Sequence, residues 1–190
     1  MRRVLIGAFL VVAVAATVGC GKKEAAAPET AAPEPAVEAP AALAAKATLM
    51  PREGGTVAGE VTFTEQNGAV AIVAHITGAP AGTHGFHLHE AGDCSSADFK
   101  SAGGHFNPTD MPHGAPTDME RHAGDLGNVE VAEDGTAHVE QTSSMITVAA
   151  GPSSVVGRGV ILHEKADDLV SQPTGAAGGR IACGVIELVG

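Results

Sequence analysis

Two histidines stand two positions apart in the segment GFHLHE, at His87 and His89. They alternate with Phe86 and Leu88, a pattern typical of a β-strand, in which side chains at i and i+2 point to the same side. Both imidazoles therefore face one direction. Two solvated surface histidines would give the same pattern, so the rest of the chain has to distinguish a metal site from a surface pair.

A second group of histidines lies in the segment GGHFNPTDMPHGAPTDMERHAGD. It supplies three imidazoles and one carboxylate, from His105, His113, His122 and Asp125. Four such ligands can close a tetrahedral site, the geometry that Zn²⁺ favours in structural sites. Metal binding would also explain why so long a segment without a helical pattern is ordered. The alternative is a histidine-rich, solvated loop that binds metal weakly.

His163 ends another predicted strand, in VILHEKADD. If that strand lies beside the one that carries His87 and His89, the three imidazoles meet. Nitrogen ligands without thiolates suit Cu(II), and the affinity order of divalent metals places copper ahead of zinc. These residues therefore predict two metal sites of different character.

The elements that would carry these side chains are short strands. Val-, Ile- and Thr-rich runs are broken by Gly and Pro, and QNGA and EDGT are hairpin-turn signals. No helical pattern of ordinary length is present. The predicted strands are Lys46–Met50, Thr56–Thr64, Ala69–Thr77, Gly85–Glu90, Gly127–Val131, Thr136–Gln141, Gly159–His163 and Ile181–Leu188. We expect an all-β protein, an antiparallel sandwich or barrel.

The N-terminal residues 1–20 are typical of an export signal. Arg2 and Arg3 precede an apolar run that ends at Gly19 and Cys20, and the run is too short to span a bilayer comfortably. A cysteine at this point resembles a bacterial lipoprotein signal, with Cys20 as the lipidated residue. An ordinary cleaved signal or an uncleaved anchor are the alternatives.

The next segment, residues 21–45, consists mostly of Ala, Pro and Glu. It holds too little apolar surface to offset the entropy of ordering, so we interpret it as a disordered tether. The folded domain is then residues 46–190, one domain by size. The acidic net charge of −11 gives no reason to expect a nucleic-acid partner.

Cysteine usage agrees with export. With Cys20 assigned to the anchor, Cys94 and Cys183 remain of the three cysteines. A pair of cysteines in an oxidising compartment normally forms a disulfide.

Together, these segments resemble the copper,zinc superoxide dismutases of the bacterial periplasmic type. The resemblance is carried by GTHGFHLHEAGDC, SAGGHFNP, RHAGDLGNV, VILHEKADDL and GGRIACGVIEL, and it covers nearly everything from residue 46 onward. It implies an eight-stranded antiparallel Greek-key β-barrel with long metal-binding and electrostatic loops.

The resemblance also implies two ligand sets that share His105 as a bridge. The copper ligands would be His87, His89, His105 and His163, and the zinc ligands His105, His113, His122 and Asp125. Asp167 would link His89 and His122 behind the metals. Arg180 would dock the anion beside copper, and Cys94–Cys183 would be the intrachain disulfide.

The implied reaction converts superoxide to O₂ and H₂O₂, with His105 and Arg180 as the residues closest to the chemistry. The expected location is the periplasm or cell surface, with the membrane reached only through Cys20. A homodimer is one open alternative for the assembly. The loop between His163 and Arg180 has Lys165 as its only basic residue, so Lys100 is a further candidate for anion steering, and an ordinary surface lysine is the alternative.

Three other functions fit part of the pattern. A non-enzymatic copper-binding protein is the first, although copper carriers favour Met and Cys over His. A zinc hydrolase of the metallo-β-lactamase kind also contains an HxH motif, but EAGDCSS follows His89 here in place of a closely spaced Asp-His pair. A dismutase-like domain without copper is the third.

Overall fold

This computed structural model describes residues 42–190, which contain nine β-strands and one short 3₁₀ turn. The 3₁₀ turn is Lys100–Ala102. The strands are β1 (Leu43–Pro51), β2 (Ala58–Gln66), β3 (Ala69–Thr77), β4 (Gly82–His89), β5 (Asp125–Val131), β6 (Ala137–Ser143), β7 (Gly159–His163), β8 (Arg180–Val185) and β9 (Glu187–Leu188). Nothing helical within this range has the length and apolar character needed to cross a bilayer. The predicted signal, most of the predicted tether and Cys20 lie outside the described residues.

The strands form one antiparallel sheet in the order β5-β4-β7-β8-β1-β2-β3-β6, with β9 paired to β1. The non-consecutive neighbours β3–β6 and β4–β7 are crossovers of the Greek-key kind. The sheet curls into a nearly closed barrel, and the all-β Greek-key barrel predicted from the sequence is confirmed.

Alternation along the strands sets the core. In β3, Val70, Ile72, Ala74 and Ile76 are buried, whereas the residues between them face outward. Burying an aliphatic side chain of this size contributes roughly 1.5–3 kcal/mol, so an inward row of this kind fixes which face of the strand lies inside. Asn67 and Gly68, both with positive φ, close the hairpin that QNGA predicted between β2 and β3.

Only Ala69–Thr77 and Gly159–His163 have the bounds predicted from the sequence; the other strands begin or end one to three residues away, or are divided, and two of these differences have a clear cause in the pairing. β1 begins at Leu43, not at Lys46, because Leu43 to Ala45 continue the ladder with β2, where Leu43 pairs with Glu65. The predicted strand Ile181–Leu188 is interrupted at Ile186, which forms hydrogen bonds to the loop at Gly157 and Arg158. The chain therefore pairs with β7 before the interruption and with the start of β1 after it.

Two long loops cover one region of the barrel, residues 90–124 and 164–179. The first is joined to β8 by a disulfide between Cys94 and Cys183, whose Cα atoms are 5.8 Å apart. The predicted disulfide is confirmed. It ties the histidine-bearing loop to the strand that begins with Arg180.

Candidate metal centre

The end of β4 is buried on both faces, which explains why one side of this strand carries two histidines. Phe86 and Leu88 belong to the barrel core, whereas His87 and His89 point the other way, under the long loops. Both imidazoles are fully buried. The solvated-pair alternative is therefore wrong.

Antiparallel pairing brings the other ligands to β4. β7 pairs with β4 so that His87 faces Ile161, and His163, two residues further along β7, lies on the same face of the sheet with its ring centroid 4.9 Å from that of His87. An isolated bridge joins His89 to His105 in the loop. The result is a cluster whose ligand nitrogens all lie within 4.8 Å of one another, formed by His87, His89, His105 and His163.

A second cluster shares His105 with the first. Its members are His105, His113, His122 and Asp125, all buried. The Nδ1 atoms of the three histidines lie 2.8, 3.0 and 3.2 Å, in that order, from Asp125 Oδ1. The structure therefore brings together all seven residues that the sequence predicted as metal ligands, six histidines and one aspartate.

His105 stands between the two clusters. Its Nδ1 faces Asp125, whereas its Nε2 is buried and has no hydrogen-bond partner. The His105 ring centroid lies 4.1 Å from that of His87 and 5.0 Å from that of His89. One imidazole thus offers one nitrogen to each ligand set.

The protons of the second cluster indicate that a cation belongs there. His113 Nε2 lies 3.0 Å from Asp167 Oδ1 and must donate, because an ionised carboxylate only accepts. A neutral His113 then turns a bare Nδ1 lone pair toward Asp125 Oδ1, with no hydrogen bond between them. Two facing electron pairs repel unless a positive ion lies between them. Three imidazoles and a carboxylate are a donor set that zinc accepts.

The first cluster has the same proton arrangement with a different donor set. His87 donates Nε2–H to Asp167, which leaves Nδ1 buried and unpartnered. His89 donates Nδ1–H to the Gly103 carbonyl, which leaves Nε2 3.3 Å from His163 Nε2. The four nitrogens that face one another here are His87 Nδ1 and the Nε2 atoms of His89, His105 and His163. All belong to imidazoles, the donor type that suits copper.

Burial keeps these imidazoles neutral. It lowers the pKa of His87 to about 4, although the hydrogen bond to Asp167 opposes the shift. Burial and then the neighbouring imidazoles lower the pKa of His163 to about 3, and burial also lowers the pKa of His89. Neutral imidazole is the form that binds a metal, so the site is prepared for ligation well below neutral pH.

The carboxylate of Asp125 stays ionised despite its burial. Burial alone would raise the pKa of this carboxyl, but the hydrogen bond and electrostatic attraction of the His105 ring and the backbone N–H of Gly114 lower the pKa to about 2. The backbone N–H of His122 also donates to Asp125 Oδ2, at 2.9 Å. Oδ1 is thereby left for the histidines and a metal.

Asp167 links the two clusters from behind, but to other histidines than predicted. The resemblance implied His89 and His122, whereas the structure places Asp167 Oδ2 2.7 Å from His87 Nε2 and Oδ1 3.0 Å from His113 Nε2. The predicted pair is wrong because His89 turns its outer nitrogen to Gly103, and the Nδ1 of His122 faces Asp125.

Three residues that sequence reasoning missed hold this arrangement. Asn128 exchanges two hydrogen bonds with the Asp167 backbone, and Gln172 does the same with the His113 backbone. Gly175 has a φ of 65°, and a Cβ there would overlap Asp167 Oδ1 and lie 2.7 Å from His113 Nε2. No motif marks these residues, because their roles depend on where the loops pass.

Arg180 lies at the mouth of the first cluster. Its two terminal nitrogens donate to the carbonyls of Phe99 and Gly103, each at 2.6 Å. With His163 it lines a pocket of about 310 Å³. Burial lowers the pKa of Arg180, yet a guanidinium remains a cation at any physiological pH.

Two further cations line that pocket, Lys100 and Arg52. Lys100 forms an exposed ion pair with Asp98 at 2.7 Å, which partly offsets its charge. Arg52 follows β1 and was missed by sequence reasoning, because nothing near it in the chain resembles a site. His84 belongs to neither ligand cluster, and its ring nitrogens bond to the carbonyls of His163 and Pro80.

Comparison with known proteins agrees with this geometry. The family model for copper/zinc superoxide dismutase (SODC) matches residues 57–186. Among solved structures, the chain is similar to the clock protein EA4, with 44% sequence identity and a TM-score of 0.70, over 77% of this chain and 94% of that one. The family binds copper and zinc, and both ligand clusters suit those ions. The chain therefore belongs to the copper/zinc superoxide dismutase family.

Proposed function

We propose that this protein is an active superoxide dismutase that uses one copper and one zinc ion. The observation that carries the proposal is the position of His105, one nitrogen of which serves an all-histidine cluster and the other a cluster that contains Asp125. A copper store has no use for the second cluster. We assign copper to His87, His89, His105 and His163, and zinc to His105, His113, His122 and Asp125.

The proposed reaction takes two superoxide anions and two protons to one O₂ and one H₂O₂. Copper, when bound, supplies the alternation between Cu(II) and Cu(I) that accepts an electron from one superoxide and gives it to the next. The protein contributes a stiff frame: His87 and His89 are fixed by β4, and their outer nitrogens by Asp167 and Gly103. His105 Nε2, without a protein partner, is the atom at which this chain can hold a proton during the cycle.

Arg180 is proposed to dock the anion. Its guanidinium has five N–H groups, and two hydrogen bonds to backbone carbonyls leave others available at the pocket. Zinc is redox-silent, and its proposed role is to order the loop that carries His113 and to hold His105.

We further propose that the enzyme acts in an exported compartment, attached to a membrane by a lipid at Cys20. The apolar run that ends at Gly19–Cys20 and the disulfide of the folded domain support this location. Metabolic labelling with a fatty acid should mark the wild-type protein and not Cys20→Ala. Equal labelling of both proteins would contradict the anchor.

The function is tested by superoxide removal with protein of known metal content. The copper- and zinc-loaded wild type should be active, whereas protein loaded with zinc alone should not be. His163→Ala should lose activity, and its affinity for copper should fall more than its affinity for zinc. His122→Ala should lose more zinc affinity than copper affinity. A fully loaded wild type without activity would leave a copper-binding role, and His163→Ala with normal activity would refute the copper assignment.

A further inference from the structure

Seven of the nine histidines are buried in or beside the metal centre, and the remaining two, His75 and His138, are exposed next to each other. His75 is in β3 and His138 in β6, and the two residues are direct partners in the antiparallel register. Their neighbours Ala74 and Ile76 point into the core, so both imidazoles stand on the outer face of the barrel. No residue of the metal centre belongs to either strand.

The two rings converge on their Nδ1 edges. Their centroids are 4.5 Å apart and their planes inclined by 31°, whereas the Nδ1 atoms approach to 3.2 Å. Two nitrogens at this separation, each about 2.0–2.1 Å from a zinc ion, subtend about 100° at the ion. This angle is close to tetrahedral and also near the right angle of a square-planar copper site.

A carboxylate sets the tautomer of one ring. His138 Nε2 lies 2.9 Å from Glu140 Oε1, and the carboxylate only accepts, so Nε2 carries the proton. Neutral His138 then presents an Nδ1 lone pair to His75. An imidazole that donates its other N–H to a carboxylate is the usual arrangement of a metal-binding histidine, because it orients the ring and raises its basicity.

The charges around the pair also favour a cation. Glu60 pairs with His75 from the other side, in β2, and Glu140 follows His138 on the same face. None of the residues of β2, β3 and β6 is Lys or Arg. Within these three strands, no positive side chain opposes a cation at the two imidazoles.

We propose that His75 and His138 form a surface site for a divalent transition-metal ion, with Glu140 as a positioning residue. Water completes the coordination, and Cu(II) binds more tightly than Zn²⁺, as the affinity order of imidazole ligands requires. The alternative is a simple hydrogen bond in which His75 Nδ1–H donates to His138. The site does not depend on the proposed dismutase activity.

Calorimetric titration with Cu(II) tests the site on full-length protein already loaded with copper and zinc. The wild type should take up one further ion per chain. His75→Ala and His138→Ala should each weaken that binding at least about tenfold, and Glu140→Gln roughly tenfold. Thr77→Ala, on the same outer face of β3, is the matched control and should bind as the wild type does.

Chemical modification gives a second readout that needs no variant. Diethyl pyrocarbonate should modify His75 and His138 before the seven buried histidines, and one equivalent of added Cu(II) should slow both modifications together, as read by peptide mass spectrometry. Unchanged Cu(II) affinity in both alanine variants, or unchanged modification rates at saturating Cu(II), would overturn the proposal in favour of the hydrogen bond.

Discussion

Asp167 Oδ2 lies 2.7 Å from His87 Nε2, a fully buried contact between residues 80 positions apart in the chain. The other oxygen of the same carboxylate lies against His113, so one side chain orients a histidine of each cluster. The loop that carries Asp167 is thereby coupled to both proposed metals.

Replacing Asp167 by Ala should weaken both metals together. The outer nitrogens of His87 and His113 would lose their acceptor, and loss of such a partner typically costs 10–100-fold in metal affinity. Competition with chelators of graded strength measures each affinity. Asp168→Asn is the control, because Asp168 is exposed and bonds only within its own loop. If only one metal were weakened, Asp167 would not link the two clusters.

Gly175→Ala should disturb the same carboxylate without removing it. The new methyl group would overlap Asp167 Oδ1, and the left-handed conformation at this residue already disfavours a side chain. We therefore expect both metal affinities to fall, roughly 10-fold or more. Gly178→Ala is a matched control, since Gly178 has a similar φ of 78° and the three atoms nearest to a Cβ there belong to the flexible side chains of Lys165 and Glu164.

If Gly175→Ala and Gly178→Ala had equal metal affinities, backbone strain alone would explain the loss of metal binding. A positive φ costs a non-glycine residue about 1–3 kcal/mol wherever it occurs. The comparison therefore separates crowding at Asp167 from strain in the loop.

The sequence predicted the ligands better than the residues that support them. Alternation along a strand places His87 and His89 on one face whatever the loops do, and a turn signal such as Asn67–Gly68 is local. Which histidines contact Asp167, and through which ring nitrogen, depends instead on the path of two loops. For the same reason the support from Asn128 could not be predicted, and Leu43 was left out of β1 because only pairing with Glu65 makes it a strand residue.

The metal-free protein should lose stability as the pH falls from about 6.5 to about 4. In the unfolded chain a histidine binds its proton near pH 6.5, whereas burial lowers the pKa of His87 to about 4 and that of His163 to about 3 in the folded protein. The unfolded state therefore takes up protons first, and each such histidine can cost up to about 1.4 kcal/mol per pH unit. Above pH 6.5 this contribution should be flat.

Urea unfolding of metal-free protein between pH 7.5 and 4.5 measures this effect. His163→Gln should reduce the slope below pH 6.5, because one of the buried groups that resist protonation is gone. Asp125 does not interfere in this window, since its pKa is lowered to about 2. A free energy of unfolding that stays constant from pH 7 to 5 would contradict the buried neutral state of these histidines.

Breaking the disulfide should affect both stability and the position of Arg180. Cys94–Cys183 closes a long loop, and such bonds typically stabilise a domain by about 2–5 kcal/mol. Cys94→Ser should lower the melting temperature of the metal-free protein. It should also lower the dismutase rate of metal-loaded protein, because Phe99 and Gly103, whose carbonyls hold Arg180, follow Cys94 in the same loop. Two free thiols in the air-exposed protein would contradict the bond.

The net charge of the protein is opposite to what an anionic substrate would require. The chain carries 11 Lys and Arg against 22 Asp and Glu, and residues 1–45 hold four of each kind, so residues 46–190 carry the whole net charge of −11. Exposed charges more than about 8–10 Å away are largely screened at physiological salt. Capture of superoxide should therefore depend on the cations at the pocket, chiefly Arg180.

Substitutions at Arg180 separate charge from geometry. We expect Arg180→Ile to lower kcat/KM at least about tenfold and Arg180→Glu to lower it further, because a positive residue at a channel mouth raises association rates by roughly 10–10³-fold. Arg180→Lys should restore only part of the rate. Lysine keeps the charge, but it does not reproduce the planar fork with which Arg180 holds the carbonyls of Phe99 and Gly103 at once. Metal content has to be measured on each variant, and the salt dependence of kcat/KM should flatten from Arg to Ile. A fully metallated Arg180→Glu with the wild-type rate would remove Arg180 from the site and leave it the structural role of holding the loop.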